Sequence, residues 1–374
     1  MKRPIKNILV TGGAGFIGSH TVDLLIEKGY RVVVLDSLKP PTHNGRVPTW
    51  LNKKAKLIRG DVRRKKDWEK ALAGVDAVVH LAAYMDYHLD FATYVETNIG
   101  SIALLFEHIA EKKLPIQKIV IASSQAVYGE GKYRCKTHGI MYVPPREEAQ
   151  FKKHQWEQHC PTCGREVLPV AEREDDVLLP LAPYGLSKLS SEQFAMAMGR
   201  AFSIPAVALR FSIVLGARQS FRHFYSGALR SFAVNVRNRE PIEMNEDGGQ
   251  LRDFVYVKDA ARAIVKTLRD PRADFEAFNV GSGRATRIFD LAKMVAKQSR
   301  VAFKPLLQQR YRVGGTRHSV MNVSKLKGFG WKPRHTLTEA VDDYLAWLSN
   351  FKGFNKNLRK TEAHMKKSGI LKKY

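Results

Sequence analysis

Tyr184 and Lys188 stand four residues apart in Tyr184-Gly185-Leu186-Ser187-Lys188, downstream of a Ser123-Ser124 pair. On a helix that spacing stacks a phenol above an ammonium on one face. A free tyrosine has a pKa of roughly 10. A cation about 4 Å away at an effective dielectric of about 20 stabilises the phenolate by roughly 4 kcal/mol, or about three pKa units. The phenol is then expected to titrate at roughly 7, where a proton shuttle is most useful. An isolated Tyr-x-x-x-Lys is weak, because many such pairs are solvated helix surface. The chemistry needs a cofactor and a substrate site to act on.

The first of these is announced near the N-terminus. Ile8-Leu9-Val10-Thr11 is a short apolar run leading into Gly12-Gly13-Ala14-Gly15-Phe16-Ile17-Gly18 and then a helical pattern from Ser19 to Lys28. In a strand, glycine turn and helix, Gly12 permits the tight turn and Gly15 lets the backbone approach a pyrophosphate on the helix N-terminus. Gly18 lets helix and strand pack closely. A second apolar run, Arg31-Val32-Val33-Val34-Leu35, ends in Asp36, about where an acidic residue holds the ribose hydroxyls of NAD. A carboxylate there repels the extra phosphate of NADP, so the pattern predicts NAD. The plainer alternative is a surface aspartate after a strand.

The 374 residues, 44% hydrophobic, suffice for a large core and a second, smaller domain. No apolar leader precedes the first strand and no apolar run reaches membrane-spanning length, so a soluble, cytoplasmic protein without a membrane partner is expected. Three cysteines argue against a disulfide scaffold. The net charge of +26 invites a nucleic-acid reading. That reading is disfavoured, because no helix-turn-helix or RNA-recognition signature appears and the basic residues are scattered. An anionic substrate would be attracted equally well. The exception is residues 350–374, where Lys352, Lys356, Arg359, Lys360, Lys366, Lys367, Lys372 and Lys373 predict a flexible basic tail.

Buried strands are expected at Lys56 to Ile58, Ala77 to Leu81, Ile119 to Ala122 and Ala206 to Phe211, each separated by helical stretches. Such alternation specifies an α/β fold with a parallel sheet covered on both faces, whose ligands collect at the carboxyl ends of the strands. Asp61, His80-Leu81-Ala82-Ala83 and Ser123-Ser124 all fall at such ends.

From Ile8 to Leu348 the chain resembles the extended short-chain dehydrogenases/reductases of the nucleotide-sugar epimerase and dehydratase family. The residues that carry the resemblance are Gly12 to Gly18, Asp36, Gly60-Asp61-Val62, His80 to Ala83, Asn98, Ser123 to Gly129, Tyr184 to Lys188, Arg252 to Asp259 and Asn279-Val280-Gly281. The resemblance implies a Rossmann-type doubly wound sheet for residues 1–212 and 252–280. It implies a smaller α/β substrate domain for 213–251 and 281–349. It implies Ser124 as the substrate-polarising hydroxyl, Tyr184 as acid/base and Lys188 as its cofactor-bound partner. NAD would be held by Gly12, Gly15, Phe16, Ile17, Gly18, Asp36, Asp61 at the adenine, Val62, Leu81, Ala82, Ala83 and Asn98, with Tyr184 and Lys188. Ser124, Gln125, Arg252 and Arg312 would contact a nucleotide-sugar substrate, the two arginines at its diphosphate. A homodimer built on helices flanking Asn98 and Tyr184 is also implied.

Between Ser124 and Tyr128 the related sugar dehydratases carry an acidic pair that removes water, whereas this chain has Gln125 and Ala126. The expectation is therefore a 4-epimerase that oxidises C4 to a 4-keto sugar and returns hydride to the other face. The rivals are a decarboxylase, reductase or dehydratase on the same fold, and a non-catalytic NAD-binding protein. Other departures are Ile213 in place of an asparagine near the diphosphate, Gly315 in place of an aspartate, and the pocket loop Tyr84-Met85-Asp86-Tyr87.

The stretch 131–180 is longer than the usual connection and holds all three cysteines. Cys135-Lys136-Thr137-His138 and Cys160-Pro161-Thr162-Cys163-Gly164 make two paired half-sites. Cys135, His138, Cys160 and Cys163 are read as ligands of a structural zinc, with His159 or His154 as substitutes. The alternative is three reduced thiols in a surface loop. The insertion resembles that of the dTDP-L-rhamnose 4-epimerase group.

Overall fold

The computed structural model describes residues 4–86, 88–221, 227–351 and 363–373. Its centre is a seven-stranded parallel sheet. In chain order it contains β1 (Asn7–Thr11), β2 (Arg31–Asp36), β3 (Lys56–Arg59), β4 (Ala77–His80) and β5 (Lys118–Ser124). After the insertion strands β6 (Lys132–Cys135), β7 (Gly139–Tyr142) and β8 (Leu168–Val170) come β9 (Ala206–Phe211) and the strand Ala277–Val280. The spatial order is Ala277–Val280, β9, β5, β4, β1, β2, β3. The chain reverses direction across the sheet between β1 and β4, which opens a crevice at their carboxyl ends.

The apolar runs feed both faces because alternate residues point to opposite sides. Ile8, Val10, Val34, Val79 and Val120 pack with Val22 and Leu25 of helix α1 (Phe16–Glu27) and Ile264 of the helix Val257–Arg269. Leu9, Leu35, Val78, Ile119 and Ile121 pack on the other face. There they meet Trp68 of α2 (Lys65–Leu72) and, beyond the short α3 (Phe91–Tyr94), Ile102, Leu105 and Phe106 of α4 (Ser101–Glu111). Each such aliphatic side chain contributes about 1.5–3 kcal/mol on burial.

The insertion forms a three-stranded antiparallel sheet, β7-β6-β8, and a short helix α5 (Glu148–Lys152). Its own core is small: Tyr133, Cys135, Val143, Cys160 and Val167. Residues beyond β9 build two-stranded sheets, among them Ile213–Leu215 with Phe254–Tyr256 and Ile242–Met244 with Pro305–Leu307. No helix among the described residues is long and apolar enough to cross a membrane.

The C-terminal tail departs from expectation. Lys352, Lys356, Arg359 and Lys360 lie outside the described residues, but 363–367 are helical and Leu371–Lys373 pairs antiparallel with the strand Arg310–Arg312. Met365 and Leu371 are buried. Two apolar anchors and a row of backbone hydrogen bonds order a segment whose charge density reads as a solvated appendage.

Candidate active site

The turn after β1 has the shape a pyrophosphate needs. Gly12 adopts φ +65°, and a Cβ there would lie 2.8 Å from the Ala82 nitrogen. A Cβ on Gly18 would lie 2.1 Å from the Gly12 carbonyl oxygen, so only glycine lets α1 sit this close. At Gly15 a Cβ would meet only that oxygen, at 3.2 Å, and would otherwise fill open space above the helix. No side chain caps α1 and no acidic residue stands in its first turn, which begins with Phe16 and Ile17. The end carries partial positive charge and unused amide donors, and so fits an anionic dinucleotide.

Asp36 closes β2 with its carboxylate buried, accepting from the Ala14 amide at 3.0 Å and the Leu38 amide at 2.9 Å. Asp61 lies beyond β3 and already holds cations: Lys39 Nζ at 2.6 Å and Arg63 through two guanidinium nitrogens at 3.1 and 2.8 Å. Burial pushes its pKa up, but these hydrogen bonds outweigh it and keep the carboxyl well below the usual range. The Val62 carbonyl accepts from Trp68 Nε1 at 2.7 Å. The Leu81 and Ala82 amides both donate to Thr11 Oγ1 at 3.2 Å, and Ala83 is exposed beside them.

Ser124 ends β5 and accepts from the Ala126 amide at 3.1 Å. Tyr184 and Lys188 lie in the first turns of α6 (Pro183–Ala201), which starts on Pro183. The Ser124 side chain lies close enough to the Tyr184 phenol to oppose its burial shift. Gly185 makes this meeting possible, since a Cβ there would lie 2.6 Å from the Ala126 carbonyl oxygen. Asn98 sits in a π-helical turn, Val95–Gly100, between α3 and α4. It brackets the Tyr84 backbone, accepting its amide at 2.7 Å and donating to its carbonyl at 3.0 Å, and donates to Ser187 Oγ at 2.8 Å. Ser187 in turn donates to the Tyr184 carbonyl at 2.8 Å.

The electrostatics differ from the sequence expectation. Burial pushes the Tyr184 phenol up to about 12; the Ser124 side chain opposes this, and Lys188 is not among the groups that shift it. Burial likewise lowers Lys188 to about 8, against the pull of Glu192. The expected value near 7 assumed a moderate dielectric and an effective neighbouring charge; removal from water outweighs both. Buried His80 bridges Thr11 (2.8 Å) and Ser101 (3.0 Å), and burial, aided by Lys188, holds it neutral with a pKa near 3.

The expected diphosphate arginines sit on two separate short strands, Leu251–Arg252 and Arg310–Arg312. The Arg252 guanidinium donates to the carbonyls of Leu251, Arg317 and Thr316, each at 2.8 Å, and Arg312 ends the strand just before the loop that carries Thr316 and Arg317. Gln125 Oε1 accepts from Ser319 Oγ at 3.3 Å, and Ser319 also bonds Glu172 at 3.3 Å. A cavity of about 240 Å³ opens beside them, lined by Glu130, Tyr133, Glu172, His318 and Ser319.

Cys135, His138, Cys160 and Cys163 converge, with their four donor atoms within 4.8 Å of one another. Cys135 Sγ lies 3.7 Å from both His138 Nδ1 and Cys163 Sγ, and Cys160 Sγ is 3.4 Å from His138 Nδ1. These are edge lengths of a tetrahedron with metal bonds of about 2.0–2.3 Å. His154 and His159 are not in the cluster.

Residues 8–281 match the family described as the NAD dependent epimerase/dehydratase family. The chain belongs to that family. A dTDP-L-rhamnose 4-epimerase from Burkholderia thailandensis is 34% identical over 92% of this chain and 95% of that protein. Among solved structures, a UDP-glucuronic acid 4-epimerase from Bacillus cereus, in complex with UDP-glucuronic acid and NAD, aligns with a TM-score of 0.75. It is 27% identical over 92% of this chain and 99% of that one. A UDP-glucose 4-epimerase with UDP-glucose from Thermotoga maritima aligns with a TM-score of 0.74 at 28% identity, over 92% and 99% of the two chains.

Within this family member, two groups escape motif reading. Glu172 is buried close to Gln125, and burial, opposed by the Ser319 hydrogen bond, pushes its pKa well above the ordinary carboxylate value. The second is an ion network joining the insertion to the loops around Glu246 and Arg317. Arg146 bonds Glu246 at 2.9 Å, and fully buried Arg317 bonds Glu246 and Asp247 at 2.8 Å and Glu157 at 3.0 Å. Its partners lie 70 to 160 positions apart, beyond any local spacing rule.

The Lys188 shift has a testable sign. The unfolded chain keeps its proton up to about 10.5 and the folded chain loses it near 8, so the lysine destabilises the fold below pH 8 and this penalty disappears as pH rises through that window. The stability gap between Lys188→Met and the parent, from denaturant melts, should shrink by on the order of 3 kcal/mol between pH 7 and 10.5. A gap that stays constant would dismiss the shift.

Proposed function

We propose that the protein is an NAD-dependent nucleotide-sugar 4-epimerase. The observation that carries this reading is the approach of the Ser124 side chain to the Tyr184 phenol, with Lys188 buried one turn along the same helix. Residues 213–251 and 281–349 would receive the nucleotide sugar, Arg252 and Arg312 meeting its diphosphate with forked donors. The turn Gly12 to Gly18, with Asp36, fits NAD, which when bound supplies the hydride acceptor and later the donor at C4.

The chain's own groups then move and hold the proton. Tyr184, as phenolate, accepts the proton of the C4 hydroxyl and later returns it to the C4 oxygen. Lys188 offsets the phenolate charge from the same face. Ser124 donates toward the C4 oxygen as it becomes a carbonyl and then an alkoxide. Because the high pKa of Tyr184 disfavours phenolate, activity should depend strongly on a nearby cation. The 4-keto sugar turns over and is reduced on its other face, so no net redox partner is consumed. Gln125 and Ala126 offer no carboxyl for water elimination, which favours epimerisation over dehydration.

Tyr184→Phe should bind NAD at the wild-type level, measured after extraction, while epimerisation falls by about 10²-fold or more. A panel of UDP-, dTDP- and GDP-sugars with chromatographic separation of C4 isomers reads this out, and undiminished turnover would remove the assigned role.

The Cys135, His138, Cys160 and Cys163 cluster is proposed to hold a structural zinc. Four protein ligands leave no open position, and a core as small as that of the insertion needs a brace. Metal analysis should find about one zinc per chain, and Cys160→Ser should lose it; a protein isolated under metal-retaining conditions with less than about half an equivalent has free thiols instead.

Exposed Phe91, Val95 and Leu186, on α3, the π turn and α6, support a homodimer through that surface. Sedimentation should give twice the 42.3 kDa chain mass, reduced to a monomer by Leu186→Glu.

A further inference from the structure

The strand Arg310–Arg312 is held from outside by the C-terminal segment. Arg310, Tyr311 and Arg312 pair with Lys373, Lys372 and Leu371, and the Val313 amide donates to the Ile370 carbonyl at 2.9 Å. Directly opposed residues of an antiparallel pair share a face. Leu371, 5% exposed, therefore lies on the face of Arg312, while Lys372 lies on that of Tyr311. On this second face Tyr311 stacks on Phe151 of α5 at 3.8 Å, and Lys372 reaches Glu148 of the same helix at 3.1 Å.

The segment also reaches the cofactor side. His364 contacts His88 with ring centroids 4.2 Å apart, in the loop that begins at Tyr84, whose backbone Asn98 holds. After Arg312 the chain enters the loop whose Thr316 and Arg317 carbonyls take the Arg252 guanidinium. In that loop a Cβ on Gly314 would lie 3.5 Å from the Leu181 carbonyl oxygen, just before the helix that carries Tyr184. Both arginines, the start of the catalytic helix and the Tyr84 loop are thus linked by one segment.

We propose that residues 363–373 are a strap that sets the position of Arg312 for a nucleoside diphosphate, with Leu371 as a positioning residue. This rests on the epimerase reading. Among the described residues its contacts named above fall on the strand Arg310–Arg312, α5 and the His88 loop rather than on the glycine turn or the Cys/His ligands, so its loss should act chiefly on the substrate.

In the full chain, Leu371→Asp should raise KM for the nucleotide sugar about tenfold or more with a smaller change in kcat, since a misplaced binding group weakens the complex. Bound NAD and zinc should be unchanged, and Leu371→Ile should restore KM. The double variant Leu371→Asp/Arg312→Ala should be no worse than Arg312→Ala alone. If Leu371→Asp does not fold, His364→Ala/Lys372→Ala removes two contacts of the strap from the surface and should shift KM the same way. A KM within about twofold of wild type, or losses that add in the double variant, overturns the strap while the wild type still turns over. A wild type that epimerises no nucleotide sugar overturns the epimerase reading and the strap with it.

Discussion

The missing side chain at Gly185 is the constraint on which the site depends. A methyl there would press into the Ala126 carbonyl oxygen at 2.6 Å and Pro180 Cβ at 3.0 Å. Such overpacking costs about 1–3 kcal/mol or moves the helix. Only because α6 lies against the turn after β5 can the phenol at position 184 meet the hydroxyl at position 124. The Asn98 to Ser187 to Tyr184 chain of hydrogen bonds fixes the rotation of that helix, and the π turn places Asn98 to begin it. The same device occurs at the other end of the crevice, where Gly18 rests on Gly12.

Exclusion of water then governs the electrostatics. Burial raises Tyr184, lowers Lys188 and neutralises His80, so these three groups are pushed toward their uncharged forms, whereas Asp61, paired with Lys39 and Arg63, is held charged. Charge appearing there during a reaction has few competing screens and interacts strongly with fixed donors.

Much of the framework was legible in the sequence because it is local. The apolar runs at Ile8, Arg31, Ala77, Ile119 and Ala206 become strands within a residue or two of expectation, and the glycine spacing implies the turn. The ionisation of Tyr184 was not legible, since a spacing rule contains no burial. The ion network around Arg317 was hidden because each partner looks like an ordinary surface charge until the fold joins them. In the tail, eight basic residues masked Met365 and Leu371, whose burial depends on the groove that receives them. The convergence of Cys135, His138, Cys160 and Cys163 was legible from their paired spacing, and the structure brings those four together rather than His154 or His159.

The Arg317 network has a consequence for how such a protein can change. Ser124 and Tyr184 stand on a sheet whose two apolar cores tolerate little adjustment, whereas the insertion meets the loops around Glu246 and Arg317 through carboxylates and guanidinium groups. Those loops can exchange length and sequence while the polar hub is retained. If those loops line the proposed sugar pocket, they are free to vary without moving the Ser124 and Tyr184 side chains apart.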